Sequence, residues 1–278
     1  MNKLFPHLRL VRVQNLILVG GSVMLGGWLE GLELDRPDLI LAALSCIFIA
    51  AFGYSFNDYC DIQSDRVNKP KRPLVRGSIS PVQALLYGAV CLSIGLGLAV
   101  WVNLFTFLAG LSGGLVLFFY NLRWKKSFLL GNLAISFLCA GSFAYGGLSV
   151  PQLTLSLVPA VFAFAFHFGR EILKDAEDQI ADRKVQARTL PLQLGNRLSL
   201  IVITVTFSIL ILLTFLPYFL NWLNQKYLIL AVLGVDWLLL YTLWSMWKDS
   251  SAPNLSRLST ILKINMFLGL IAITVGRL

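Results

Sequence analysis

The chain has 278 residues, of which 57% are hydrophobic and only 13% are charged. Soluble globular domains carry about twice that share of charged residues, so the composition excludes an ordinary soluble domain. The four cysteines form no C-x-x-C pair, and three of them lie in apolar runs. They are expected to be small buried residues rather than disulfide partners or zinc ligands.

The apolar residues gather in nine segments of roughly 20 residues, long enough for a helix to cross the hydrocarbon core of a bilayer. The N-terminal region shows no clear cleavage site of a secretory signal. The sequence therefore predicts an all-α integral membrane protein with nine transmembrane helices, at residues 14–30, 39–56, 82–101, 104–120, 129–148, 154–172, 198–219, 227–247 and 259–276.

The basic residues favour one side of such a membrane. If the N-terminus is cytoplasmic and the spans alternate, the cytoplasmic side receives 20 of the 23 Lys and Arg residues. This bias follows the positive-inside rule and explains the net charge of +9 as topology. We therefore expect a multi-pass protein of the cell membrane, attracted to anionic membrane lipids, with no nucleic-acid partner.

Two nine-residue segments, at 58–66 and 175–183, share the pattern D-x-x-D-x-x-x-D-R. On a helix, positions i, i+3 and i+7 lie along one face, so each segment is expected to present three carboxylates in a row. One such segment is explained equally well by a solvated acidic helix end, but two copies with identical spacing favour a metal site. Clustered oxygen ligands suit Mg²⁺, which shares its remaining positions with waters and substrate phosphates. The first aspartate row is Asp58, Asp61 and Asp65, and the second aspartate row is Asp175, Asp178 and Asp182.

Basic residues follow both rows on the same predicted side of the membrane, and the prolines at 70 and 73 end the first helix. Acidic residues followed by basic ones are what a metal–diphosphate site requires, because carboxylates hold Mg²⁺ while Lys and Arg neutralise phosphate oxygens. The positive-inside bias accounts equally well for any single one of these bases. No nucleophile arrangement of Ser, His and Asp, no P-loop and no dinucleotide fingerprint is visible.

These motifs make the sequence resemble the UbiA-type family of intramembrane prenyltransferases over essentially its whole length. The segment from Asn57 through the first aspartate row, the second row, the N-K-P-x-R-P stretch at 68–73 and the segment 120–125 all correspond to family features. The resemblance implies nine helices around a central cavity, with a cytoplasmic cap that carries both rows. It also implies Mg²⁺-dependent transfer of an isoprenyl group from its diphosphate.

The motif chemistry and the resemblance together assign roles to individual residues. All six aspartates of the two rows are expected to be catalytic. The expected metal ligands are Asn57, Asp61, Asp65, Asp178 and Asp182. The expected diphosphate- or substrate-binding residues are Asn68, Lys69, Lys71, Arg72, Tyr120, Arg123, Lys125, Lys126, Arg170, Lys174 and Arg188.

Within the family, the segment 170–178 and the T-L-P stretch at 189–191 most resemble the digeranylgeranylglyceryl phosphate synthase branch. One departure is Ile180-Ala181, where that branch usually has Glu-Gly. The branch implies geranylgeranyl transfer to geranylgeranylglyceryl phosphate, forming an ether lipid precursor and releasing pyrophosphate. Because this acceptor brings its own phosphate, spare basic residues such as Lys125, Lys126 and Lys174 are candidates to bind it.

Other readings remain open at this point. A family member of this kind could instead prenylate an aromatic acceptor such as hydroxybenzoate or homogentisate, or a chlorophyll- or haem-type acceptor. A cation-coupled transporter would place its acids near the bilayer midplane, where only Asp236 fits. A non-catalytic scaffold leaves the paired rows unexplained. We expect a single domain, 1–278, whose motif spacing is consistent with two related halves, about 1–128 and 129–278, and no obligatory protein partner.

Overall fold

The computed structural model describes residues 4–150, 153–184 and 186–278, without the side chains of residues 4, 5, 67 and 68. Within these ranges all regular secondary structure is helical, and the nine predicted apolar segments are all found as helices. The long helices are α1 (Val13–Leu29), α2 (Pro37–Cys60), α3 (Pro81–Val102), α4 (Leu104–Leu122), α5 (Leu130–Gly147), α6 (Leu157–Glu177), α7 (Asn196–Thr214), α8 (Gln225–Lys248) and α9 (Ala252–Arg277). Short helical segments lie at Leu4–Leu10, Ile62–Asn68, Trp124–Lys126, Gln179–Lys184, Leu190–Leu194 and Leu216–Phe219.

Local sequence signals set several of the helix starts. Ser80 and Gln83 form a reciprocal capping box before α3, and Pro81 occupies the first helical position. Asn103 caps α4 by accepting a hydrogen bond from the backbone N–H of Thr106, and its amide donates to the carbonyl of Leu148 at 2.8 Å. One asparagine therefore both begins a helix and ties it to the end of α5.

The described chain forms two compact units. The first unit contains the chain up to Lys125 together with Gly141–Leu157, and the second contains Lys126–Ala140 together with Val158–Leu278. The first aspartate row belongs to the first unit and the second row to the second unit. The expectation of a single domain stays a prediction.

In the first unit, α2 packs against α1, α3 and α4. Small residues allow α2 and α3 to approach closely, since a Cβ on Gly95 would lie 2.9 Å from the carbonyl oxygen of Ser45. Two buried serines of α2 bind carbonyls of α3: Ser45 Oγ donates to Gly95 and Ser55 Oγ to Ala84, both at 2.7 Å. These contacts hold the helix that carries the start of the first aspartate row.

Two glycines create a backbone crossing between α1 and α5 within the first unit. A Cβ on Gly26 would lie 2.0 Å from the carbonyl oxygen of Phe143, and one on Gly146 would lie 1.9 Å from that of Val23. Real side chains do not tolerate such distances, so both positions require glycine for the two helices to touch.

In the second unit, α6, α7, α8 and α9 share one apolar core. Its fully buried members include Leu173 of α6, Phe207 of α7, Leu239 of α8 and Leu258 of α9. Phe207 lies against Gly169, where a Cβ would come within 2.4 Å of the ring. This packing positions the end of α6, where the second aspartate row begins.

Helix α8 widens to a π-helix over Ala231–Asp236. The carboxyl group of Asp236 is buried, and the hydroxyl of Thr214 lies 2.9 Å from it. The hydroxyl of Tyr227 donates to the carbonyl of the same threonine at 2.7 Å. Asp236, the one acid that the sequence places near the bilayer midplane, therefore has a polar neighbour.

Six helical stretches among the described residues are long and apolar enough to cross a membrane: Pro37–Cys60, Pro81–Val102, Leu104–Leu122, Asn196–Phe219, Gln225–Lys248 and Ala252–Arg277. Helix α1 is apolar but shorter, with 17 residues. The chain is thus a multi-pass membrane protein, and the prediction of nine spans goes beyond these six.

Candidate functional site

Neither aspartate row lies along one uninterrupted helix, so that part of the sequence expectation is wrong. Helix α2 ends at Cys60, Asp61 has φ −97° and ψ 5°, and a new helix begins at Ile62. The second row breaks in the same way at Asp178, between α6 and Gln179–Lys184. Each row therefore bends at its middle aspartate. Backbone hydrogen bonds between residues four apart continue on both sides of each bend, which keeps the carboxylates close along the chain.

Asp58 is held by two guanidinium groups. It is buried, Arg12 Nη2 lies 2.9 Å from its Oδ1, and Arg72 Nη1 forms a short ion pair with the same oxygen. Arg12 also donates to Asn57 Oδ1 at 2.9 Å and lies over the ring of Tyr54. Buried charges persist when they are paired and hydrogen-bonded. Asp58 is thereby fixed as an internal counter-ion at the end of α2.

Asp61, at the bend, has both carboxylate oxygens engaged. Lys125 Nζ lies 2.5 Å from Oδ1, and the amide of Asn57 donates to Oδ2 at 3.1 Å. The Asn57 amide also donates to the side-chain oxygen of buried Asn121 at 2.8 Å. Asp61 is therefore a partly exposed carboxylate held by one lysine and one asparagine.

Asp65 is buried beside Arg72, whose Nη1 lies 2.9 Å from its Oδ2. That oxygen has no partner in good hydrogen-bond geometry within the described residues, so the contact is an ion pair only. Burial raises the pKa of Asp65, because it outweighs the lowering by Arg72 and Lys69. Asp65 is accordingly the least satisfied carboxylate of the first row.

The second aspartate row has fewer cationic contacts. Burial raises the pKa of Asp175 to about 7, although the amide of Asn132 donates to its Oδ2 at 2.8 Å and opposes the rise. Burial, followed by the nearby charge of Asp178, raises the pKa of Asp182. Asp178 itself is exposed, and no ion pair engages it in the described part of the chain. Within the described residues, the negative charge of this row is therefore not neutralised by ion pairs.

The predicted phosphate-binding residues divide into two groups. Arg72 and Lys125 are largely buried and contact the first row, while Arg170 pairs with Glu171 at 2.9 Å. The side chains of Lys69, Lys71, Arg123, Lys126, Lys174 and Arg188 are exposed, and that of Tyr120 is half-buried. The backbone N–H of Arg188 donates to the carbonyl of Lys126 at 2.8 Å. The side chain of Asn68 lies outside the described residues.

Sequence reasoning assigned no site role to Arg12, Asn121 or Asn132. Arg12 has φ +54°, an uncommon conformation for a residue with a side chain, and its three contacts offset that strain. Asn121 and Asn132 are buried polar residues in apolar helices, a placement that usually requires a hydrogen-bonded partner. In the sequence, a single polar asparagine within an apolar helix was the available signal for both.

The donor set of both rows fits Mg²⁺ by its chemistry, because carboxylate and amide oxygens are hard ligands. Among the described residues, no three His, Cys, Asp or Glu side chains converge as a ready-made metal cage. Magnesium is commonly bound through one or two carboxylates together with substrate phosphates and waters. Asn57, Asp61 and Asp65 in the first unit, and Asp178 and Asp182 in the second, stay the predicted metal ligands.

Fold and site together define a multi-pass helical membrane protein with two carboxylate rows suited to a metal-bound anion. The model of the UbiA prenyltransferase family matches residues 18–271. The chain therefore belongs to the UbiA prenyltransferase family and is a prenyltransferase.

Curated relatives cover the chain almost completely. It is 32% identical over 280 residues to digeranylgeranylglyceryl phosphate synthase of Methanocaldococcus jannaschii, covering 99% of this chain and 97% of that protein. It is also 32% identical over 278 residues to the protein of that name from Saccharolobus solfataricus, covering 98% and 96%.

Solved structures agree in fold. A structure described as giving insight into digeranylgeranylglyceryl phosphate synthase in membranes has a TM-score of 0.84 and 31% identity, covering 100% of this chain and 99% of that one. A UbiA homologue from Archaeoglobus fulgidus bound to GPP and Mg²⁺ has a TM-score of 0.71 at 21% identity, covering 97% and 99%. The second likeness shows the fold alone.

Proposed function

We propose that this prenyltransferase moves a geranylgeranyl group from geranylgeranyl diphosphate to the free hydroxyl of geranylgeranylglyceryl phosphate. The observation that carries the proposal is the near-complete coverage, at 32% identity, by relatives named for the product of that reaction. The two carboxylate rows and the neighbouring cations support it, since two phosphorylated substrates need both metal ligands and positively charged side chains.

The proposed reaction replaces one C–O bond by another. The bond between C1 of the prenyl chain and the diphosphate oxygen breaks, and pyrophosphate leaves with the electron pair. The hydroxyl oxygen of the acceptor bonds to C1 and gives its proton to the released pyrophosphate, which completes the ether. Magnesium, when bound, would neutralise the charge that develops on the leaving diphosphate. The surrounding apolar helices would protect the cationic allylic carbon from water.

Within the first unit, the buried ion pairs suggest distinct roles for the three aspartates. Asp58, held by two arginines, would brace the row rather than bind metal. Asp61 and Asp65, with Asn57, would supply metal ligands, because Asp61 is partly exposed and Asp65 is incompletely satisfied. In the second unit, Asp178 and Asp182 would supply ligands beside the half-buried Asp175.

The exposed cations are proposed to bind phosphate groups. Lys69 and Lys71 follow the first row, and Lys174 lies within the second unit beside Asp175. The backbone hydrogen bond between Arg188 and Lys126 brings a second pair of basic residues together, which suits the acceptor monophosphate. Arg123, Arg170, Tyr120 and Asn68 complete the proposed substrate contacts.

We also propose nine membrane spans around a central cavity, with a cytoplasmic cap that carries both rows at the cell membrane. The support is the placement of 20 of the 23 basic residues on one side in a nine-span topology. A transporter is a poorer reading, because the buried midspan acid Asp236 is already bonded to Thr214.

The test supplies purified protein and Mg²⁺ with labelled geranylgeranyl diphosphate and one acceptor at a time. Transfer to geranylgeranylglyceryl phosphate, with release of pyrophosphate, is the expected result. Transfer only to hydroxybenzoate, homogentisate or a porphyrin-type acceptor would reject the lipid acceptor while leaving the prenyltransferase intact.

A further inference from the structure

The first aspartate row is neutralised by the chain itself. Its three carboxylates are contacted by three cationic side chains, Arg12 and Arg72 on Asp58, Arg72 on Asp65, and Lys125 on Asp61. The cations come from three separate parts of the sequence, before α1, after Ile62–Asn68 and after α4. The row therefore does not depend on a metal ion to relieve repulsion among its carboxylates.

The cation on Asp61 differs from the other two. Arg72 bridges two buried carboxylates, and Arg12 contacts Asp58, Asn57 and the ring of Tyr54. Lys125 contributes one ammonium group to one carboxylate, and that carboxylate is the most exposed of the row, at 24%. An ammonium on a flexible stem is more readily moved than a guanidinium in a network. Lys125 is thus the cation that can exchange.

Electrostatics then favours one order of events. A divalent ion arriving alone at Asp61 meets the ammonium of Lys125 and adds positive charge to a row that is already balanced. When a divalent ion arrives together with a diphosphate, the diphosphate supplies enough negative charge to bind both the ion and the displaced ammonium. Lys125 therefore opposes the metal alone and assists the metal–diphosphate pair.

We propose that Lys125 is an exchangeable cation that occupies Asp61 until diphosphate arrives, and so couples metal binding to diphosphate binding. When diphosphate binds, the ammonium of Lys125 would pair with a diphosphate oxygen, and the freed carboxylate of Asp61 would be available to hold the metal. Lys125 is a positioning residue for Asp61 before binding and a diphosphate ligand afterwards. This inference rests on the proposed function, because it needs a diphosphate substrate.

Two binding measurements on the purified full-length protein test the exchange. The first follows Mn²⁺ binding by electron paramagnetic resonance without diphosphate, and the second follows retention of labelled pyrophosphate at a fixed Mn²⁺ concentration. In Lys125→Met, Mn²⁺ alone is expected to bind about tenfold more tightly, while pyrophosphate binds about tenfold more weakly. Weaker binding of both Mn²⁺ and pyrophosphate would indicate a folding defect, and an unchanged Mn²⁺ affinity would indicate a lysine that only binds phosphate. Either result overturns the proposal.

Two further variants control for charge and for chemistry. Lys226→Met removes an exposed lysine outside the site and is expected to leave both affinities unchanged. Lys125→Arg keeps the positive charge and is expected to restore weak binding of Mn²⁺ alone. If Lys226→Met also tightens Mn²⁺ binding, general charge explains the effect and the exchange is wrong.

The outcome separates this inference from the proposed function. If the wild type transfers the prenyl group normally but Lys125→Met leaves the Mn²⁺ affinity unchanged, the exchange is wrong and the proposed function is unaffected. If the wild type neither transfers the prenyl group nor retains pyrophosphate with Mn²⁺, both proposals are wrong.

Discussion

Replacing Arg72 by glutamine tests whether buried ion pairs organise the first aspartate row. Arg72 lies between Asp58 and Asp65, and the three side chains are 16%, 3% and 6% exposed. The substitution keeps a polar side chain but removes the positive charge from both carboxylates. We expect a large loss of stability, because two buried acids lose a shared partner.

The size of the loss follows from burial. Removing one partner from a buried ion pair costs about 3–5 kcal/mol. Arg12 remains on Asp58 after the substitution, so the expected decrease in the free energy of unfolding lies at the lower end, about 3 kcal/mol. Arg36 and Asp38 form an ion pair at the same 2.9 Å, but their side chains are 49% and 44% exposed. Arg36→Gln is therefore the matched control, with an expected loss below about 1 kcal/mol.

The loss should also depend on pH. Burial already raises the pKa of Asp65, and Arg72 opposes that rise, so Arg72→Gln raises this pKa further. A raised pKa means that the folded state binds the proton more tightly than the unfolded chain, and stability then falls as pH rises. The deficit of Arg72→Gln relative to wild type should therefore be greatest near neutral pH and shrink in acid.

The assay is denaturant unfolding in a mild detergent, followed by intrinsic fluorescence at several pH values. Equal small losses for Arg72→Gln and Arg36→Gln would refute the reasoning, as would a deficit that grows in acid. Arg72→Lys should recover part of the stability, since one ammonium cannot bridge both carboxylates as a guanidinium does.

Three other predictions concern the site and its orientation. Chelation by EDTA should abolish prenyl transfer and added Mg²⁺ should restore it, and full activity in excess EDTA would contradict the metal proposal. Asp61→Ala and Asp178→Ala should each lower kcat by about two or more orders of magnitude without loss of helical circular dichroism, because they remove exposed or partly exposed ligands and no core volume. In a background without native cysteines, single cysteines at Ser64 and Gln179 should react with a membrane-impermeant reagent from the cytoplasm, and one at Leu34 from outside, whereas reversed labelling would contradict the topology.

The sequence predicted the helices well because hydrophobic segments of this length have few alternatives in a membrane. The ends of the helices were less predictable where charged residues lie within the helix. The predicted second helix, 39–56, stops at the first acidic residues, but α2 continues to Cys60 since its backbone hydrogen bonds do not depend on side-chain polarity. The sixth, 154–172, likewise continues to Glu177.

Partners distant along the chain were not predictable from spacing. Arg12 reaches Asp58 across 46 positions and Lys125 reaches Asp61 across 64. The motif indicated which acidic residues would lie close together, but only the packing of the first unit shows which basic side chains contact them. The sequence also did not predict the bends at Asp61 and Asp178. A spacing of three and four residues between aspartates fits one continuous helix as well as two helical segments that meet at the middle aspartate.

The crossing of α1 and α5 limits how this protein can be improved by engineering. Side chains in most interfaces can be exchanged for others of similar volume because neighbouring rotamers adjust. At Gly26 and Gly146 the neighbour is a peptide group, so even one added methyl must push the backbones apart. Gly21 of α1 has no atom within 4 Å of an added Cβ, and alanine there would favour the helix without a clash. Helix α1 thus contains one glycine that cannot be substituted, Gly26, and one that can, Gly21. Stabilising substitutions should therefore begin at Gly21.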